Sequence, residues 1–81
     1  MRIHPHARDR MQERGATERE VEGAILGGER FPAKFGRHGF RRNFRFDDDW
    51  QGRRYATKQI EVFAVYEDGD WLAISVIVKY F

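Results

Sequence analysis

The hydrophobic period of this chain changes once, near Arg30, and that change narrows the folds open to it. Before it, apolar residues recur about every fourth position: Ala7 with Met11, then Val21 with Ala24 and Ile25. This spacing collects them on one side of a helix. After it, Phe31, Ala33 and Phe35 alternate around Pro32 and Lys34, and Phe40, Phe44 and Phe46 alternate with Arg41, Asn43 and Arg45. A period of two is that of a strand with one apolar face. Residues 54–66 and 71–80 are longer and dense in β-branched and aromatic residues, which suit a pleated, half-buried surface. Helices followed by strands predict a segregated α+β domain.

Local signals set the expected boundaries. Pro5 suits a first helical turn and Gly15 a left-handed stop, so the first helix is expected over about 5–14. Thr17 with Glu20 three residues later is a capping-box pattern, and Gly27-Gly28 breaks the second helix after about 18–26. Strands are expected over about 30–35, 40–46, 54–66 and 71–80. Pro32 places the first of these on an edge. Gly36–Gly39 is read as a turn and Asp47–Gly52 as a polar loop. At 81 residues the chain holds one domain with one thin core, 1–81. The expected fold is an N-terminal helical hairpin packed on one face of a four-stranded, mainly antiparallel sheet.

The closing hairpin offers two registers. A two-residue loop at Asp68-Gly69 would pair Ala64 with Ala73 and put Leu72, Ile74, Val76, Val78 and Tyr80 on the face opposite Ile60, Val62, Ala64 and Tyr66. A three-residue loop of Glu67, Asp68 and Gly69 pairs Tyr66 with Asp70 and Ala64 with Leu72, merging both stripes into one buried face. The second register is expected. It sets Lys58 opposite Val78, at a rim where a cleft with the first helix could form.

Composition excludes several functions. No cysteine is present, so disulfides, thiolate zinc sites and cysteine nucleophiles are out, and a reducing, cytoplasmic setting is expected. The first ten residues have no apolar run, and the apolar stretch near Trp71–Val78 is too short to cross a bilayer. His4 and His6 lie two apart with no carboxylate completing a ligand set, and His38 does not complete one, so no metal or cofactor is expected. Net charge is only +2, yet residues 34–58 carry eight basic side chains against Asp47, Asp48 and Asp49. Arg41, Arg45, Arg53 and Arg54 belong to this segment, which suits an anionic partner such as RNA, or else is a solvated sheet face.

His6, Arg10 and Arg14 are spaced by four and project from one side of the first helix. Metal-free RNA cleavage needs a base for the 2′-hydroxyl, cations for the phosphorane and an acid for the 5′-oxygen, and an imidazole among guanidiniums can supply these. The same arginines can equally pair with Asp9, Glu13 or other neighbours in solvent. Lys58 extends the stripe of Ile60, Val62 and Ala64, where it either snorkels to solvent or lines a cleft. Tyr80 can supply a phenol or a stacking ring, or sit in the core with its hydroxyl at the rim.

His6 through Met11, then Glu13-Arg14-Gly15, Thr17 and Glu20-Val21 resemble the opening of the bacterial domain of unknown function 4258 family. Tyr55–Val62 and Ser75–Phe81 resemble its closing hairpin. Residues 30–54 match only in strand pattern. That family is similar to the RelE and BrnT toxins. The resemblance implies a RelE-like fold, a candidate site between the first helix and the sheet formed by His6, Arg10, Arg14 and Lys58, and Tyr80 as a loose counterpart of a C-terminal tyrosine. It also implies metal-independent endoribonuclease activity and a cognate antitoxin. The alternative is a non-enzymatic nucleic-acid- or protein-binding module.

Overall fold

The computed structural model describes residues 1–81. Seven elements follow in order: β1 (Arg2–Ile3), α1 (Pro5–Arg14), α2 (Glu18–Gly27), β2 (Glu29–Pro32), β3 (His38–Trp50), β4 (Arg53–Glu67) and β5 (Asp70–Tyr80). The class is α+β, with a five-stranded mixed sheet in the order β1-β5-β4-β3-β2. The expected four strands were one too few. Arg2 and Ile3 pair in parallel with Leu72 and Ala73, and two residues are too few to show alternation.

Both helix starts form as the sequence dictates. Pro5 opens α1, and Gly15 closes it at φ 79°. In α2 the Thr17 hydroxyl accepts from the Glu20 N–H while the Glu20 carboxylate accepts from the Thr17 N–H, so two otherwise orphaned donors are satisfied together. Ala7, Met11, Val21, Ala24 and Ile25 then meet Phe40, Ile60, Val62, Ala64, Ala73 and Val76 in one core. Ile60, Val21, Val62 and Val76 are fully enclosed. Each such side chain contributes about 1.5–3 kcal/mol.

Several boundaries moved. The strand expected over 30–35 is Glu29–Pro32, because Phe35 and Gly36 are both left-handed (φ 62° and 69°) and turn the chain at Lys34–Arg37. His38 and Gly39, expected in that turn, begin β3. Asp47–Trp50, expected in a loop, continue β3 past a bulge between Arg45 and Asp48, and Gln51-Gly52 makes the turn. An inserted bulge residue breaks alternation, so a period search ends the strand too early.

The closing hairpin corrects the expected register. Asp68 and Gly69 are both left-handed and form a two-residue loop that sets Glu67 opposite Asp70 and Ala64 opposite Ala73. The two stripes still merge, because the register shifts once between Phe63↔Ser75 and Ala64↔Ala73, leaving Ile74 as the extra residue. Before the shift Ala73 faces the helices; after it Val76, Val78 and Tyr80 do. The bulge sits five residues beyond the place where the sequence reading put it. Lys58 is consequently opposite Tyr80, not Val78.

Candidate functional site

Regular alternation along β4 carries Lys58 onto the helix-covered face, one step beyond Ile60. Its Nζ donates to Gly15 O at 2.7 Å and to Glu20 Oε1 at 3.1 Å, and lies 5.1 Å from the centre of the Phe46 ring. The lysine is buried and the Glu20 side chain nearly so. Glu20 thus caps α2 and neutralises Lys58 with one carboxylate. Beside it the Tyr80 hydroxyl donates to Arg14 O at 2.7 Å, and Arg14 Nη1 donates to Val76 O at 2.6 Å. Burial, with the Glu20 carboxylate second, pushes the Tyr80 phenol above its ordinary range. It is therefore a neutral donor near pH 7.

The bent end of the β3–β4 hairpin closes over these groups. Trp50 stacks on Tyr80 at 5.1 Å and 14°, and Phe46 and Tyr55 meet the same ring at 5.2 and 5.6 Å. A Cβ on Gly15 would lie 2.6 Å from the Tyr80 hydroxyl and 2.7 Å from Trp50, so this close approach, together with the positive φ, requires glycine. Every buried side-chain polar atom has a partner within the chain. The arrangement is a clasp that ties the α1–α2 turn to the sheet.

The expected site residues are therefore only partly brought together. Arg14, Lys58 and Tyr80 meet at the C-terminal end of α1. His6 lies exposed at its N-terminal end, about 13 Å away along the axis, so Lys58 is not placed beside it as the expected register required. Arg10 pairs with Glu13 at 3.1 Å. Of the four arginines of the basic segment, Arg41 is held by Glu61 at 2.9 Å and lies over the Phe31 ring, and Arg45 pairs with Asp47. Arg54 donates to Asp47 O, and Arg53 packs over Tyr55. No group of three His, Asp or Glu is placed to hold a metal, and no helix is long and apolar enough to cross a membrane.

A different surface presents unused chemistry. Toward the other end of β4, on the face without helices, Ala33, Lys34, Phe35, Arg37, Phe63 and Ser75 line an open cleft of about 380 Å³. Its floor forms because Gly39 leaves room for the Phe31 ring, which meets Phe63 edge-on at 5.9 Å. Phe35 is 86% exposed and left-handed, a conformation that costs a non-glycine residue about 1–2 kcal/mol. Lys34 and Arg37 flank it, and every ion pair of the chain lies elsewhere. The sequence reading counted both cations in the basic segment but placed Phe35 in a strand. Gly36, directly after Phe35, was the available signal for a turn.

No protein-family model, curated protein or solved structure matches this chain.

Proposed function

We propose that this domain binds single-stranded RNA at the β2–β3 turn, with Phe35 stacking on a base and Lys34 and Arg37 holding adjacent phosphates. The observation that carries the reading is Phe35 itself: a bulky ring, strained and almost fully exposed, between two cations without carboxylate partners. Stacking on an exposed ring tolerates any base, while flanking cations track the backbone. Arg53 and Arg54, exposed at the far hairpin, add sequence-independent attraction. The test is oligouridine affinity against salt. Replacing Lys34 and Arg37 by Gln should flatten the logarithmic slope by about 1.4, two phosphate contacts at about 0.7 each on a single strand. An unchanged slope rejects the site.

A second reading, metal-independent endoribonuclease action of the RelE toxin type, has one observation in its favour. The His6 imidazole is exposed, and Arg10, held to Glu13 at 3.1 Å, follows one helical turn later, so an imidazole and a guanidinium share one side of α1. Cleavage should then survive EDTA, leave cyclic phosphate ends and disappear in His6→Ala. Loss with EDTA, or full activity in His6→Ala, rules it out.

A further inference from the structure

The helices cover only one side of the sheet, and alternation along the strands sorts the residues of the other. Four consecutive rows run across it from the Phe35 cleft. Ser75, Phe63 and Gly39 form the first, with Phe31 beside them, and Ile77, Glu61, Arg41 and Glu29 form the second. Lys79, Gln59 and Asn43 form the third. In the fourth, Thr57 lies opposite Arg45 on one side and exchanges both backbone hydrogen bonds with Phe81 on the other, at 2.7 and 3.0 Å. Phe63 and Ser75 of the first row also line the Phe35 cleft, so the cleft opens onto this face. About 20 Å of strand separates Ser75 from Phe81.

Along that length the β4 and β5 side chains pass from paired to unpaired. In the second row Arg41 donates to Glu61 at 2.9 Å and pairs with Glu29 at 3.8 Å, so both carboxylates of the four rows are neutralised within the chain. In the third, Gln59 Nε2 donates to Asn43 Oδ1 at 2.9 Å, which leaves Gln59 Oε1 and the Asn43 amino group without partners. Lys79 stands beside them, exposed, and makes no ion pair. In the fourth, Arg45 is held by Asp47, while Phe81 is 57% exposed. A cation, an amide pair and a ring, all unsatisfied, thus follow one another away from the cleft. A second copy of this face offers Lys79 no free carboxylate. A nucleic-acid strand supplies a phosphate for the cation and a base for the ring.

We propose that an RNA strand held at Phe35 continues across this open sheet face, which rests on RNA being the ligand of the cleft. Lys79 holds a phosphate, Phe81 stacks on a base, and the Gln59 and Asn43 amides hydrogen-bond base edges. Oligouridines of about three and about eight nucleotides separate the two sites, because single-strand sites begin near about four nucleotides. The shorter reports the cleft alone. Phe81→Ala should weaken the longer about tenfold and leave the shorter unchanged. Lys79→Gln should lower the salt slope of the longer by about 0.7 and leave that of the shorter as it was. In NMR spectra the side-chain amide signals of Gln59 and Asn43 should shift with the longer oligomer only. Lys34→Gln with Arg37→Gln should weaken both lengths. A longer oligomer that Phe81→Ala and Lys79→Gln together do not weaken, or an equal loss at both lengths, overturns the extension and leaves the cleft standing. If neither length binds the parent, cleft and extension fall together. A dimer in sedimentation that Phe81→Ala dissociates gives the face to a second copy and overturns the extension as well.

Discussion

The two ends of β4 carry the same ingredients, a lysine beside aromatic rings, and use them in opposite ways. At one end Lys58 is enclosed by Gly15 O, Glu20 and Phe46, and Tyr80 and Trp50 are locked against the α1–α2 turn. At the other end Lys34 and Arg37 stand free beside an exposed Phe35. A cation next to an aromatic ring therefore has no fixed meaning. Where the chain supplies the acceptors the cation builds the fold, and where it supplies none the group is available to a ligand. Left-handed backbone does not separate the two ends, since Asp47 and Gln51 in the hairpin over the clasp share it with Phe35. What separates them is that the Phe35 ring is exposed beside cations without carboxylate partners.

The sharpest way to break this contrast is to remove each lysine in turn. Lys58→Ala leaves Gly15 O without its donor and Glu20 without its cation, and should cost about 3 kcal/mol in urea unfolding. Lys58→Met, which keeps the buried stem, should cost less. Lys34→Ala should stay within about 0.5 kcal/mol of the parent. Equal effects of the two alanine variants would show that the ends are not different in kind. At the cleft, the residue that suits a two-residue left-handed turn is Asn before Gly. Phe35→Asn should therefore raise stability, by about 1 kcal/mol, while weakening oligouridine about tenfold through lost stacking. A variant both less stable and undiminished in binding would refute the idea that strain is kept here for a ligand. The smallest effect is expected from the Tyr80 phenol. Its folded pKa lies above the unfolded value near 10, so its contribution is full below that pH and is lost as pH rises through the higher folded value. The stability difference between parent and Tyr80→Phe, followed by alkaline unfolding, should be constant below about pH 10 and shrink above it.

Much of the architecture was readable before any coordinates. Ala7 with Met11, the Thr17–Glu20 capping box and the stripe of Ile60, Val62 and Ala64 rest on periodicities and hydrogen bonds internal to single elements. The misread features were those in which an element answers to a neighbour. The β1 pairing needs β5 beside it, and the two β-bulges reset alternation without leaving a mark in composition. In the closing hairpin both apolar stripes share one face, as their pattern predicts, but the extra residue lies at Ile74 and not in the loop, and Asp68-Gly69 keeps the two-residue turn it favours.

The same boundary separates what was legible about the candidate sites. Sequence alone determined the class of the fold, the helix caps, the buried stripes and the concentration of positive charge in residues 34–58, because each depends on residue type and spacing along the chain. Tertiary structure decided which of those charges are free. Arg41 is drawn to Glu61, Lys58 to Glu20 and Arg14 to Val76 O across sequence separations of 20, 38 and 62 residues. A charge is silenced by whatever the fold brings within hydrogen-bonding reach, and that distance is not written in the order of the residues.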